Sequence, residues 1–233
     1  MGQKALVLSS GGIDSTTCIA LAIDTYGKEN VESVSFKYGQ RHLKELQSAE
    51  AVADYYGIKH HIIDFTSSGI FDGSNCSLLE NSETKIKHKS YEEQIKEDGI
   101  VNTYVPFRNG LMVSAAASLA FVINPDGFTA IFVGTHADDA AGNAYADCSL
   151  EFMENLDKAI QLGTYGKVNI IAPLIRKNKS EVVKEGLRLN APYNLTWSCY
   201  EGGEVACGKC ATCVDRLKAF KDNNMEDPIN YED

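Results

Sequence analysis

The chain has 233 residues, of which 44% are hydrophobic and 23% charged, and its formal net charge is −10. This composition is typical of a soluble globular protein and excludes a disordered or fibrous one. The acidity argues against direct capture of nucleic acid, which normally leaves a basic surface. No apolar stretch reaches the roughly 18 residues of a membrane span or resembles a signal segment, so we expect a cytoplasmic protein without membrane contact.

Short apolar runs alternate with helical patterns at the start of the chain. The pattern predicts strands at 5–8, 31–36 and 59–65, with helices at 17–26 and 43–56 between them. Gly57 is expected to end the second helix, because glycine adopts the left-handed conformation found at helix ends. A β-α-β-α-β alternation predicts an α/β fold with a doubly wound, mostly parallel, Rossmann-like sheet.

The periodic pattern stops at residue 66 and returns after residue 102. The intervening 66–102 segment is polar and long for a connection, so we interpret it as an insertion and a possible lid. Beyond it the pattern predicts helices at 108–121, 150–162 and 179–189, and strands at 130–133 and 168–172. Asn178 and Glu181 are spaced as in a capping box for the last of these helices.

These elements divide the chain into three parts. Residues 1–195 form the predicted nucleotide-binding α/β domain, and residues 196–222 form a segment with four cysteines and a terminal helix. Residues 223–233 are rich in acidic side chains, which favours a solvated tail.

The sequence SSGGIDST at 9–16 follows the first predicted strand and leads into the first helix. Its two glycines let the backbone approach phosphate oxygens, while hydroxyl and N–H groups donate at a helix N-terminus. The loop lacks the lysine of a Walker A motif, and Asp14 is suited to hold Mg²⁺ against pyrophosphate. The alternative is a plain turn that ends a buried strand. The residues predicted to bind ATP are Ser9, Ser10, Gly11, Gly12, Ile13, Asp14, Ser15, Thr16, Thr17, Cys18 and Ile19.

Four of the seven cysteines form a cluster near the end of the chain. They are Cys199, Cys207, Cys210 and Cys213, separated by seven, two and two residues. In a cytosolic chain such a cluster is more often a metal site than a disulfide framework. Four thiolates suit a closed, tetrahedral and structural Zn²⁺ site, with an iron–sulfur cluster or unligated thiols as alternatives.

Further polar strings follow predicted strands or open predicted helices, where doubly wound sheets bind ligands. YVPFRN places a cation at a helix start, fit to bind phosphate or carboxylate. Trp197, just before the first clustered cysteine, is expected in the core. The candidates, each also explained as an ordinary surface or capping residue, are Arg41, His42, Arg108, Asn109, Asp138, Asp139, Asp147 and Lys179.

Taken in order, several of these strings resemble the QueC family of 7-cyano-7-deazaguanine synthases over nearly the whole chain. They are SGGIDSTT, YGQRH, YVPFRN, GTHADDAAGNAYADC, the pair Lys179 and Glu181, and TWSCYEGGEVACGKCATC. The resemblance implies a PP-loop ATP-pyrophosphatase with an adenine-nucleotide alpha hydrolase-like fold and a C-terminal zinc knuckle. It also implies one zinc ion per chain and a homodimer.

The implied activity is that of an AMP-forming carbon–nitrogen ligase of queuosine biosynthesis. Such an enzyme converts 7-carboxy-7-deazaguanine and ammonia to the nitrile preQ0 through acyl-adenylate and amide intermediates, releasing AMP and pyrophosphate. Asp14, Lys179 and Arg108 are the predicted catalytic residues, because this chemistry needs positioning and neutralisation of phosphate charge. The alternatives are a PP-loop tRNA-modifying sulfurtransferase, another ATP-dependent amidating ligase, and a nucleotide sensor without catalysis. Small-molecule substrates are expected, without direct nucleic-acid binding.

Overall fold

The computed structural model describes residues 2–86, 91–140 and 145–232. Within these ranges five strands pair in parallel, in the order β3-β2-β1-β4-β5. The order reverses at β1, because the chain first builds outward to β3 and then returns to add β4 and β5 on the other side. The predicted doubly wound parallel sheet is therefore confirmed. The strands are β1 (Gln3–Leu8), β2 (Val31–Lys37), β3 (Lys59–Asp64), β4 (Phe128–Phe132) and β5 (Val168–Ile171).

Helices cover both faces of the sheet, because successive side chains of each strand point to opposite faces. Ala5 and Val7 of β1 pack with α1, α2, α7 and α8, whereas Leu6 packs with α4 and α6. In the described ranges none of the helices is long and apolar enough to cross a membrane. The helices are α1 (Ile13–Tyr26), α2 (Lys44–Tyr56), α3 (Tyr91–Asp98), α4 (Arg108–Ile123), α5 (Ala137–Ala140), α6 (Leu150–Gly163), α7 (Lys179–Arg188) and α8 (Ala211–Asp222).

Most helix boundaries fall close to their predicted positions, and α1 is the main exception. It begins at Ile13, four residues before the predicted start at residue 17. The small polar side chains Ser15, Thr16 and Thr17 hide the helical pattern in the sequence, yet all three are buried in the structure. The helix therefore begins inside the glycine loop, which places its N-terminus at the loop itself.

The described residues of the predicted insertion at 66–102 include the short helix α3. The beginning of the insertion is anchored to the domain, because Cys76 and Leu79 form a small apolar cluster with Val105. Arg41 also holds it, donating to the carbonyl oxygen of Leu79 at 3.1 Å. Residues 87–90 of the insertion lie outside the described residues, and closure as a lid stays a prediction.

The end of the chain differs from the expected solvated tail. The side chain of Asp227 is only 1% exposed and binds Arg216 through both carboxylate oxygens, at 2.6 and 2.9 Å. Tyr231 donates to the same carboxylate at 2.6 Å and pairs with Ala206 in a parallel bridge. Arg216 is fully buried in α8 and needs a counter-charge there, a requirement that the acidic composition of the tail does not reveal.

Candidate active site and metal centre

The loop between β1 and α1 packs tightly against α2. Gly11 has φ +78, and a Cβ atom there would lie 2.2 Å from the carbonyl oxygen of Glu45 and 2.7 Å from the backbone nitrogen of Ala49. Only glycine therefore fits this position without moving the backbone. The side chain of Ser15 folds back to the loop, accepting from the N–H of Ser10 and donating to the carbonyl oxygen of Gly12.

The N-terminus of α1 opens onto a cavity of about 300 Å³ at the carboxyl edge of the sheet. Its N-cap residue is Gly12, which offers no side chain to satisfy the first-turn N–H groups. Free N–H groups at a helix N-terminus, reinforced by the helix dipole, bind anions. The predicted phosphate-binding loop thus faces a cavity, and its binding role stays a prediction.

Beside the loop lies a cluster of charged side chains from distant parts of the chain. Lys179 Nζ contacts both carboxylate oxygens of Asp14, at 2.7 and 2.6 Å. His136 Nε2 lies 3.4 Å from Lys179 Nζ and 3.4 Å from Asp139 Oδ1. Burial by itself would raise the pKa of Asp14, but Lys179 and His136 outweigh burial and hold that pKa below its usual value.

The start of α7 delivers Lys179 to this cluster. The predicted capping box is confirmed, since the Asn178 side chain accepts from the N–H of Glu181 and Glu181 accepts from the N–H of Asn178. Asp138 Oδ2 also accepts from the N–H of Lys179 at 2.8 Å. Asp138 therefore serves here as a helix cap, which accounts for one of the acidic candidates.

Arg108 extends into the cavity from the first turn of α4. Its Nη1 donates to the hydroxyl of Tyr38 at 3.1 Å, and its guanidinium lies 5.7 Å from the centre of that ring. Burial opposes the charge, but Tyr38 and Tyr145 outweigh it and raise the pKa of Arg108 above its ordinary value. A permanent cation therefore faces the cavity on the side away from Lys179.

The four clustered cysteines come together in the structure. Their Sγ atoms all lie within 4.8 Å of one another, and all four residues are buried. One ion with Zn–S bonds of about 2.3 Å would hold tetrahedral sulfurs about 3.8 Å apart. The Sγ atoms of Cys207 and Cys213 are 4.0 Å apart, and the N–H groups of Lys209 and Cys210 donate to Cys207 Sγ. The arrangement fits a single four-coordinate metal ion.

The four-cysteine segment forms another wall of the same cavity. Trp197 and Cys199 line it, and the N–H of Trp197 donates to the carbonyl oxygen of Gly11 at 2.9 Å. Lys44 clamps this segment, with Nζ 2.6 Å from the carbonyl oxygens of Gly203 and Glu204 and 3.9 Å from the centre of the Trp197 ring. Trp197 is buried, as expected, and it joins the cysteine segment to the phosphate loop.

The sequence model of a family described as "Queuosine biosynthesis protein QueC" matches residues 4–224. The chain belongs to the QueC family. Relatives named 7-cyano-7-deazaguanine synthase, from Thermoplasma acidophilum and Acetivibrio thermocellus, are 42% and 43% identical to it. These matches span 99% and 98% of this chain, and 92% and 98% of the relatives.

Among solved structures, an NMN synthetase from Francisella tularensis shares the fold of this QueC family chain. The TM-score is 0.50 at 13% identity, over 97% of this chain and 79% of the other. At such low identity the match establishes a shared architecture only.

Several residues predicted to bind nucleotide turn away from the cavity of this QueC family chain. Ile13, Cys18 and Ile19 are buried in the apolar core beneath the loop. Thr17 is also buried, with its hydroxyl 2.7 Å from that of Tyr193. Thr16 is fully buried as well. These side chains are buried around the first turns of α1, where they support the loop.

The side chains on the other face of the loop line the cavity. They are Ser9, Ser10, Asp14 and Ser15.

Two of the weaker candidates connect parts of the fold. The N–H of Asn109 donates to Asp147 Oδ2 at 2.8 Å, and its side-chain amide lies 3.3 Å from Cys148 Sγ. These contacts join the start of α4 to the segment that follows β4. His42 lines the cavity, next to the backbone of Gly202.

Sequence reasoning missed three acidic or histidine residues that line the cavity: Glu45, His136 and Asp215. His136 follows the end of β4 directly, a position at which ligand-binding residues are expected in such sheets. Glu45 lies three residues after the YGQRH string. Asp215 is in α8, far from any recognised string, and nothing in its sequence surroundings points to the cavity.

Proposed function

We propose that this chain is a 7-cyano-7-deazaguanine synthase, which converts 7-carboxy-7-deazaguanine, ammonia and ATP to the nitrile, AMP and pyrophosphate. The observation that carries the proposal is one cavity shared by a glycine-rich phosphate loop and a four-cysteine segment. Membership of the QueC family, with relatives of this name at 42% and 43% identity over almost the full chain, supports the same reaction.

The chemistry requires activation of a carboxylate. Expulsion of oxide from a carboxylate is prohibitive, so the substrate carboxylate attacks the α-phosphorus of ATP and pyrophosphate leaves. Ammonia displaces AMP from the resulting acyl-adenylate and yields the amide. The amide oxygen is adenylated in turn, and loss of AMP with protons leaves the nitrile. The protein therefore acts by positioning the reactants and neutralising phosphate charge.

The residues around the phosphate loop are suited to bind and neutralise the phosphates. The uncapped N-terminus of α1 offers N–H groups to pyrophosphate, and Ser10 and Ser15 add hydroxyl groups. Lys179 now neutralises Asp14, and bound phosphates compete for the same ammonium group. Arg108, on the far side of the cavity, is placed to bind the carboxylate of the substrate.

The carboxylates beside the phosphate loop are suited to hold Mg²⁺ as other nucleotide sites do. Mg²⁺ is typically held by one or two carboxylates together with substrate phosphates and water. Asp14 and Asp139 line the cavity beside Lys179 and are the carboxylates suited to this role. An ion held by these carboxylates would supply positive charge to the departing pyrophosphate.

We assign zinc, one ion per chain, to the four cysteines. The four cysteines of an iron–sulfur cluster are distributed over two or four iron atoms, which holds the set of four sulfurs farther apart than a single ion does. The mutual distances below 4.8 Å favour the single ion, and four protein ligands leave no open position for catalysis. The homodimer and the cytoplasmic location stay predictions.

The proposal is tested by incubating metal-loaded protein with 7-carboxy-7-deazaguanine, ammonium, Mg²⁺ and ATP. Mass spectrometry should detect the nitrile together with AMP, and omission of ammonium should abolish the nitrile. Labelled tRNA in place of the deazaguanine tests the sulfurtransferase alternative and should give neither AMP nor a shifted band. Protein that carries its metal and yields no AMP or nitrile from the acid would falsify the assignment.

A further inference from the structure

Glu45 borders both the phosphate loop and the part of the cavity that Arg108 lines. It lies in the first turn of α2, and its carbonyl oxygen is in direct contact with Gly11 of the phosphate loop. Its side chain lines the cavity, and Arg108 from the opposite side acts on its carboxyl group. If an acyl-adenylate is bound between the phosphate loop and Arg108, its electrophilic carbon would lie near Glu45.

The carboxyl of Glu45 is unengaged in the described parts of the chain, where it accepts no hydrogen bond and forms no ion pair. Of the four other carboxylates among the described residues that line the cavity, Asp215 is exposed to water and the remaining three are engaged in contacts. Asp14 binds Lys179, Asp138 caps α7, and Asp139 accepts from the N–H of His136. Those three groups are occupied in holding the fold or the charge cluster together. Glu45 has no such structural task, although it is partly withdrawn from water.

Burial raises the pKa of Glu45 to about 7, and Arg108 only partly opposes the shift. A general base works best when its pKa is near the pH at which the enzyme operates. Other charged or titratable groups reach the same cavity from neighbouring segments: Tyr38, Arg41 and His42 before α2, Tyr200 from the cysteine segment, and Asp14 and Lys179 across the cavity. Of all the charged groups in the cavity, Arg108 has the main electrostatic effect on the pKa of Glu45.

We propose that Glu45 is the proton acceptor in both nitrogen-handling steps of the reaction, an inference that rests on the proposed function. In the first step, ammonia forms a bond to the carbonyl carbon of the acyl-adenylate, and its nitrogen becomes positively charged. Glu45 takes one proton from that nitrogen. The bond between the carbon and the phosphate oxygen then breaks, and AMP leaves with the electron pair, giving the amide.

In the second step the amide oxygen has already displaced pyrophosphate from a second ATP. One of the two protons on nitrogen passes to solvent. Glu45 takes the other as the carbon–oxygen bond breaks, so that the nitrogen electrons complete the triple bond and AMP leaves. Between the two steps Glu45 returns its proton to solvent. Each step then balances with the substrates of the proposed reaction alone.

Glu45→Gln is the decisive variant, because glutamine keeps the shape of the side chain and cannot accept the proton. General acid–base groups contribute about 100-fold to 10,000-fold, so amide and nitrile formation should fall at least about 100-fold. Exchange of labelled pyrophosphate into ATP, measured with the acid and without ammonium, should stay close to the wild-type rate. Glu45→Asp should recover part of the amide rate.

The pH profile provides a second readout. The base must be deprotonated, so at a constant concentration of unprotonated ammonia the wild-type rate of amide formation should rise as pH increases through about 7. The Glu45→Gln variant should lose this limb of the profile. Glu50→Gln, an exposed substitution on the same helix, is the matched control and should leave both rate and profile unchanged.

Three outcomes separate the hypotheses. Amide formation by Glu45→Gln at the wild-type rate with an unchanged pH profile overturns the inference. Loss of pyrophosphate exchange together with amide formation also overturns it, because Glu45 would then serve adenylation or binding. Wild-type protein that exchanges no pyrophosphate and forms no AMP with the acid instead contradicts the proposed function itself.

Discussion

The phosphate loop and the cysteine segment enclose one cavity, but different forces hold them in shape. The loop is fixed by its immediate neighbours, with β1 before it, α1 after it and α2 packed on Gly11. The cysteine segment depends on four converging thiols, on Lys44 and on a buried ion pair with the end of the chain. Damage to the loop should therefore change chemistry or local packing, whereas damage to the cysteine segment should change folding.

The largest effect is expected from loss of the metal centre. Cys210→Ser removes one of four buried ligands, and a structural metal site contributes directly to folding free energy. The variant should contain no bound zinc by elemental analysis and should melt well below the wild type. Cys76→Ser, a buried cysteine outside the cluster, is the control and should keep the metal. Full metal content and unchanged melting of Cys210→Ser would contradict a structural site.

Asp227→Ala tests whether the end of the chain supports the cysteine segment. It leaves the buried Arg216 without its counter-charge, and breaking a buried pair in this way costs about 3 to 5 kcal/mol. Denaturant unfolding should show this loss of stability. Glu226→Ala, at the exposed neighbouring position, should leave unfolding unchanged. Equal midpoints for the two variants would mean that the tail is the solvated segment that its composition suggests.

Gly11→Ala tests the packing of the phosphate loop on α2. The new Cβ would meet the carbonyl oxygen of Glu45 at 2.2 Å. Overpacking costs about 1 to 3 kcal/mol, and the left-handed backbone adds about 1 to 2 kcal/mol. Gly57→Ala isolates the second contribution, because Gly57 is left-handed with φ +64 and has no atom within 4 Å of its Cβ position. Thermal unfolding should therefore show a larger loss of stability for Gly11→Ala than for the control variant. Equal losses of stability would show that the loop moves to accommodate the new Cβ atom.

Asp14→Asn should affect turnover more than folding. It removes the carboxylate that Lys179 binds and that we assign to Mg²⁺, and a loss of about 100-fold in kcat corresponds to about 2.7 kcal/mol. The melting temperature should change little, because the freed Lys179 faces a cavity open to water. Asp24→Asn, an exposed position on the same helix, should keep full activity. Wild-type turnover by Asp14→Asn would remove the magnesium role.

The sequence predicted each strand and long helix of the core because periodic apolar residues report which face of an element is buried. It was less successful at α1, where small polar residues are buried, and at α3 and α5, which carry little apolar pattern. For the site, the motif at 9–16 identified the loop but could not distinguish cavity-facing Asp14 from core-facing Ile19. That distinction depends on which face of α1 meets the sheet.

The sequence by itself determined the features made by neighbours in the chain: the phosphate loop, the capping box before α7 and the spacing of the four cysteines. Only the tertiary structure decided which distant groups meet. Lys179 and Asp14 are 165 residues apart and form one ion pair, and Glu45 enters the cavity because α2 packs on the phosphate loop. Local motifs are fixed by the backbone within a few residues, whereas side chains from separate elements are brought together by the parallel sheet, whose carboxyl ends converge on one edge.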